Sequence, residues 1–257
     1  MRRAPGPALW VESGGAGKPV LLMLHGLGAN ATVWQRLRPL VEAHWRGRWL
    51  APDLRGHGRS GHAAPYGMAM HAADVAGLLD TDEEVIILGH SMGGGVAMTL
   101  AGGWFGVKVR QVIAFGVKLV WTAEELAKAQ ELARAPVRWF ATRDEAIERY
   151  LRVSGLKGLI DAASPEAAVG VVAEQGRFRL AADPRVNAVV GSPIETVIAA
   201  LRAPLRLAAG ARDPMVTLEQ MRRFDPQAAI IADAGHNPHV EAPEKLWRAV
   251  EDALARA

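Results

Sequence analysis

The sequence predicts an α/β protein built on a mostly parallel sheet with helices on both faces. Three observations carry that expectation. Apolar runs of strand length recur at residues 20–24, 85–88, 109–115 and 205–209. Segments with helical spacing separate them, and such alternation is the mark of strand–crossover–strand units. The runs at 20–24 and 85–88 are unbroken by any polar residue, as expected of strands covered on both faces. The chain has 257 residues, 50% hydrophobic and 22% charged, enough for one large core and an insertion.

Taken in order, residues 8–12 have the length of one short strand, and Gly14, Gly15 and Gly17 mark a turn after it. Residues 20–24 (VLLML) form a buried strand that runs into His25-Gly26-Leu27-Gly28. Residues 32–43 carry Val33, Trp34, Leu37, Leu40 and Val41 at helical spacing, with Pro39 opposing a continuous helix. Residues 49–51 make a short strand ending at Pro52-Asp53, and the glycine-rich segment 53–61 is loop. Helix is expected over 68–79, strand over 85–88, helix over 93–101 and strand over 109–115. From 118 to 192 the alternation stops; helical patterns at 123–133, 143–153 and 165–174 stand there without a clear buried strand. Alternation resumes with helix 193–201, strand 205–209, helix 218–224, strand 228–232 and helix 243–255. The expected organisation is a core of residues 1–117 and 193–257, with residues 118–192 inserted as a helical cap where it would cover a site.

The chemistry centres on residues 85–99, VIILGHSMGGGVAMT. A β-branched run ends in Gly89-His90-Ser91-Met92-Gly93 and a small-residue helix follows. Glycines at both ends of G-x-S-x-G allow a turn tight enough to lift a serine hydroxyl clear of the sheet. Serine alone is a weak nucleophile and needs a base, an acid and an oxyanion site. In open α/β sheets such groups gather at the carboxyl ends of strands. Gly210-Ala211-Arg212-Asp213 follows one predicted strand and Asp233-Ala234-Gly235-His236 follows the next. Asp213 and His236 are therefore the candidate acid and base for Ser91.

These residues sit in five pieces: HGLG (25–28), DLRGHGRS (53–60), GHSMGG (89–94), GARDPMV (210–216) and GHNPHVEAPE (235–244). In this order and at these strand ends, the chain resembles the α/β-hydrolase fold family, in its serine-nucleophile, esterase- and lipase-like branch, over nearly its whole length. The order Ser, Asp, His is the one that family uses. The resemblance implies Ser91 as nucleophile, Asp213 as acid and His236 as base. It also implies an oxyanion hole from the backbone N–H groups of Leu27 and Met92. Gly28, Trp121, Val216 and Asn237 are expected to touch substrate. No cofactor and no metal is implied. The family's D-x-R-G-x-G-x-S loop is structural, so Asp53 is read as an organiser of that loop. His90 is read as packed and hydrogen-bonded, and His25 as a support of the oxyanion loop.

Ester hydrolysis through an acyl-enzyme is the expected activity, with a thioesterase, a carbon–carbon bond hydrolase and a perhydrolase or haloperoxidase-like enzyme as alternatives on the same fold. Carbon–carbon hydrolases usually place asparagine before the serine and tryptophan after the histidine, where this chain has His90 and Asn237. A serine nucleophile disfavours epoxide hydrolase and dehalogenase chemistry, which use aspartate there. Two readings from other classes remain. One is a non-catalytic, ligand-binding member of the fold. The other rests on Gly26-Leu27-Gly28-Ala29-Asn30-Ala31, a G-x-G-x-x-A after a strand with Asp53 ending the next, which fits a dinucleotide fingerprint locally. That reading leaves GHSMGG, Asp213 and His236 unexplained.

The remaining composition narrows the partners. There is no cysteine, which excludes disulfides, thiolate metal sites and a cysteine nucleophile. Net charge is +3 with the basic residues scattered among acids, so no nucleic-acid partner is expected. The first residues, MRRAPGPALWVESGG, lack the apolar core of a secretory signal, and no run approaches the ~18 apolar residues of a membrane span. A cytoplasmic protein acting on a small-molecule ester, with no membrane partner, is expected.

Overall fold

The structure is a computed structural model and describes residues 6–255. Residues 1–5, which begin the stretch read for a secretion signal, and residues 256–257 lie outside the described residues. In chain order the elements are β1 (Val11–Gly14), β2 (Val20–Leu24), α1 (Arg38–His44), β3 (Trp49–Pro52), α2 (Met68–Ala76), β4 (Glu84–His90), α3 (Met92–Leu100) and β5 (Lys108–Phe115). The inserted block follows, with α4 (Ala123–Arg134), α5 (Arg143–Val153), α6 (Pro165–Val169), β6 (Val171–Glu174) and β7 (Arg177–Leu180). The chain ends with α7 (Ile194–Ala199), β8 (Leu205–Gly210), α8 (Leu218–Arg222), β9 (Ala229–Ile231), α9 (Pro238–Glu241) and α10 (Pro243–Ala255).

Seven strands form one sheet in the order β1-β3-β2-β4-β5-β8-β9. Only β1 runs antiparallel, against β3; the other pairs are parallel. All five residues of β2 are buried, and they alternate between two apolar cores. Leu21 and Met23 join one core with α10, while Val20, Leu22 and Leu24 join the other with α2 and α3. A strand with no solvated face therefore has no polar position, as its sequence anticipates. In α10, Leu246, Trp247, Val250 and Ala253 are buried on one stripe, the 3.6-residue period of a helix covering a sheet.

Three segments depart from the sequence expectation. The helix expected over 32–43 is split into a 3₁₀ turn, Ala31–Trp34, and α1. Asn30 caps the turn by accepting from Thr32 N at 3.0 Å. Pro39 falls in the first turn of α1, where its missing N–H has no intrahelical role. The inserted block is mostly helical but also carries the β6–β7 hairpin, so the helix expected over 165–174 stops at Val169. Gln175 and Gly176 between the strands both have positive φ, +51° and +74°, the handedness a two-residue hairpin loop requires. Finally, α9 begins two residues after His236, a short helix that the sequence expectation did not include, with Pro238 at its first position.

Among the described residues no helix is long and apolar enough to cross a membrane.

Candidate functional site

The six parallel strands deliver their carboxyl ends to one rim of the sheet. Ser91 stands between β4 and α3 with φ +49° and ψ −116°, a conformation rare for any residue but glycine. Its neighbours show why the motif needs glycine. A Cβ on Gly93 would lie 2.2 Å from the Leu24 carbonyl oxygen, and one on Gly89 would lie 2.7 Å from Gly93 O. The helix packs onto its own strand and onto β2 without room for a methyl group. Ser91 N donates to Phe115 O at 2.9 Å, which ties the elbow to β5.

Asp213 and His236 come from the ends of β8 and β9. The Asp213 side chain is fully buried, and both of its carboxylate oxygens lie 3.1 Å from His236 Nδ1. Asp213 Oδ1 also accepts from Met215 N at 2.8 Å. Gly116, at the end of β5, makes room for the pair. Its φ is +63°, and a Cβ there would stand 3.2 Å from His236 Cε1 and 3.3 Å from Asp213 Oδ2.

Two further residues hold His236, and sequence reasoning missed one of them. Glu241 Oε2 accepts from Gly235 N at 2.7 Å and its Oε1 accepts from Asn237 N at 3.0 Å, so one carboxylate clamps the backbone on either side of His236. The signal for it was a lone acid in the four-residue helix after GHNP, which sequence alone does not distinguish from a surface residue. His90 Nε2 donates to the His236 carbonyl oxygen at 2.8 Å. Burial, then the neighbouring His239 and His236, hold His90 well below the ordinary histidine pKa, so it is a neutral donor. It links the residue before Ser91 to the backbone of His236.

The HGLG loop lies opposite. A Cβ on Gly26 would stand 2.8 Å from His90 Nδ1 and 3.3 Å from Ser91 Cβ, so this loop is pressed against the elbow. His25 is fully buried, and burial lowers its pKa. Its Nδ1 donates to Gly26 O at 2.8 Å and its Nε2 accepts from Leu54 N at 2.9 Å, a pattern that requires the neutral ring. His25 thereby fastens the HGLG loop to the glycine-rich loop after β3. Asp53 organises that second loop, accepting from Ala31 N at 2.7 Å, Arg59 N at 2.8 Å and Arg59 Nε at 2.8 Å. Burial alone would raise its pKa; the hydrogen bonds from Arg59 and Ala31 outweigh it and hold the carboxyl below its ordinary value. Both Asp53 oxygens are thus engaged within the protein, unlike an acid that reaches for a ribose.

Ser91 lines a small pocket that is partly open to solvent. Leu27 and Met92, the expected oxyanion donors, line it with Ser91. The inserted block and the segment leading to α7 close the far side with Trp121, Val189 and Ile194. Of the four residues expected to touch substrate, only Trp121 lines the pocket. Val216 is packed in the core, and its neighbour Met215 takes the lining position. Asn237 is 3% exposed, and its side-chain amide donates to Gly155 O at 3.0 Å. Gly28, at φ +77°, shapes the loop without reaching this lining. Among the inserted aromatics, Phe140 and Tyr150 are core residues, with Tyr150 OH accepting from Asn30 Nδ2 at 3.0 Å. Among the described residues no three His, Asp or Glu side chains gather as a metal ion would need.

Comparison with known proteins places this arrangement. A family model described as the alpha/beta hydrolase family matches residues 21–249. The magnesium-chelatase 30 kDa subunit of Rhodobacter capsulatus is 29% identical over 278 residues, covering 98% of this chain and 93% of that protein. The pimeloyl-[acyl-carrier protein] methyl ester esterase of Pectobacterium atrosepticum is 27% identical over 260 residues, covering 95% and 97%. Among solved structures, E-2-(acetamidomethylene)succinate hydrolase has the same fold, with a TM-score of 0.77 at 23% identity over 96% of this chain and 94% of that one. With the sheet order, the elbow and a family match spanning both sides of the insertion, the chain belongs to the alpha/beta hydrolase family.

Proposed function

We propose that the protein is a serine hydrolase that cleaves small or medium carboxylic esters through an acyl-enzyme. The observation that carries this reading is the buried Asp213 carboxylate with both oxygens 3.1 Å from His236 Nδ1, on the same rim as the strained Ser91. Asp213 would hold His236 with its proton on Nδ1, leaving Nε2 free to take the Ser91 proton as the hydroxyl attacks the ester carbonyl. The Leu27 and Met92 N–H groups would meet the oxyanion that forms. The alcohol leaves with the proton that His236 returns, and water then repeats the sequence on the acyl-enzyme. In this reading residues 118–192 act as a cap over a core of residues 1–117 and 193–257, and they set the acyl and alcohol preference.

Ser91→Ala tests the assignment. Turnover of activated esters should fall by roughly 10⁴-fold or more while the melting temperature holds. Wild type alone should take up a fluorophosphonate label. Full activity in the variant would remove Ser91 from the mechanism. A panel of esters, thioesters and lactones then separates the esterase from a thioesterase.

A second reading comes from the end-to-end similarity to a protein named as a magnesium-chelatase subunit. It makes this chain a partner or ligand-binding protein that retains the fold without turnover. An unlabelled Ser91 together with no hydrolysis across the panel would favour it.

A further inference from the structure

We propose that the pocket beside Ser91 selects esters carrying a second, anionic group such as a carboxylate, and that Lys118 is the residue that selects them. The inference rests on the ester-hydrolase reading above and specifies its substrate class.

Lys118 is the one charged residue lining this pocket among the described residues. It lies three residues beyond Phe115, whose carbonyl oxygen accepts from Ser91 N. Its side chain is 13% exposed, and the rest of the wall is mostly apolar, with Leu27, Met68, Val117 and Val189 in it and Ser91 and Ser192 as its polar residues. An ammonium group in an apolar wall costs free energy unless it is paired. Its one recorded partner is Glu125 Oε1, at 2.5 Å. Glu125 is 40% exposed, and its other oxygen accepts from Thr122 N at 3.0 Å in the cap of α4. The carboxylate therefore has water and the helix end as alternatives. Lysine has three donors, and one is used here. The Trp121 ring lies 5.2 Å from Nζ and flanks the charge without accepting a full hydrogen bond. A pocket meant only for apolar acyl chains would be better walled by leucine or methionine. A cation with spare donors, held by an acid that can swing to solvent, is a receptor for a substrate anion.

Wild type, Lys118→Met and Glu125→Gln are compared on monomethyl and dimethyl esters of succinate, glutarate and adipate. The reading is the ratio of kcat/KM for the monoester anion to that for the neutral diester at each length. In wild type the ratio should exceed one by on the order of tenfold at the best length, the scale of a charge-assisted hydrogen bond. Lys118→Met should bring it to about one or below. Glu125→Gln keeps the helix cap but withdraws the competing charge, and should raise the ratio. A purely structural Lys118–Glu125 tether would scale both substrates together and leave the ratio where it was. A wild-type ratio at or below one, or one that Lys118→Met does not move, overturns the subsite while the hydrolase reading stands. If no ester turns over, the hydrolase reading fails instead, and the subsite is judged by calorimetric binding of glutarate. Binding lost in Lys118→Met keeps it; no binding in wild type overturns it.

Discussion

The rim of the sheet and the inserted block place their residues by different physics. On the rim, backbone geometry decides. Gly93 approaches the Leu24 carbonyl too closely for any side chain, Gly116 admits the Asp213–His236 pair, and Ser91 is held at positive φ between two packed elements. Each constraint demands a particular residue type at a particular spacing. In the block, side-chain packing decides. Phe140, Ala146 and Ile147 are buried because they are apolar and the right size, and other apolar residues would fill the same space. The rim therefore leaves a signature in the sequence, and the block leaves a composition.

The sharpest test of the rim is Asp213→Asn. The amide fills the same buried site but no longer fixes the proton on His236 Nδ1, so kcat for an activated ester should fall about 10³- to 10⁴-fold with little loss of fold. An unchanged kcat would detach the Asp213–His236 pair from the chemistry. The next test sets one glycine from each region side by side. Gly93→Ala puts a methyl group against the Leu24 backbone and should cost about 3 kcal/mol or more in denaturant unfolding. Gly176→Ala, in the β6–β7 turn, meets nothing within 4 Å and is strained only by its φ of +74°, so about 1 to 2 kcal/mol is expected. Equal costs would break the distinction between close approach on the rim and local strain in the block.

A smaller effect probes what holds His236. Glu241→Leu leaves Gly235 N and Asn237 N without their shared acceptor. The imidazole should lose its fixed position, lowering kcat on the order of tenfold with KM nearly unchanged. Glu241→Gln retains one acceptor oxygen and should fall between the two. A rise in KM with kcat unchanged would mean that Glu241 shapes the pocket rather than the base.

These contrasts follow the line between what was legible in the sequence and what was not. The parallel strands, the elbow and the strand-end acid and histidine were legible because burial on both faces and tight turns restrict residue choice. Glu241 was not, since a glutamate that clamps a loop and one that faces water read alike. The β6–β7 hairpin was hidden in a segment rich in Ala and Val, where four-residue strands and helix ends share a composition. Val216 and Met215 show the limit of resolution. Both lie one turn past the acid, and only the direction of the backbone decides which of them faces the pocket.

The smallest predicted effect concerns the buried histidines beneath the rim. His71, on α2, is fully buried, and neither ring nitrogen has a hydrogen-bond partner among the described residues. Burial, and then the charge of Arg55 and the nearby His25, push its pKa down to about 3. His57 and Tyr66 pack on other sides of the ring and bring no carboxylate to it. Because the folded-state value lies below the unfolded value of about 6.5, the unfolded chain binds this proton first as pH falls. The contribution of a neutral His71 is therefore fully present above about pH 6.5. It is lost as pH falls toward about 3, by at most about 1.4 kcal/mol per pH unit. Leucine at this position has nearly the same volume and needs no hydrogen bond. His71→Leu should change stability at pH 7 by less than about 1 kcal/mol. Between pH 6 and pH 4 its stability should fall less steeply than wild type, by up to one proton. His25, His57, His90 and His239 are shifted in the same direction and keep the remaining slope. Denaturant unfolding of both proteins at pH 7, 6, 5 and 4 measures the difference. Parallel curves would mean that His71 takes up its proton within the fold, and that the ground beneath the loops is wetter than the packing around His57 and Tyr66 implies.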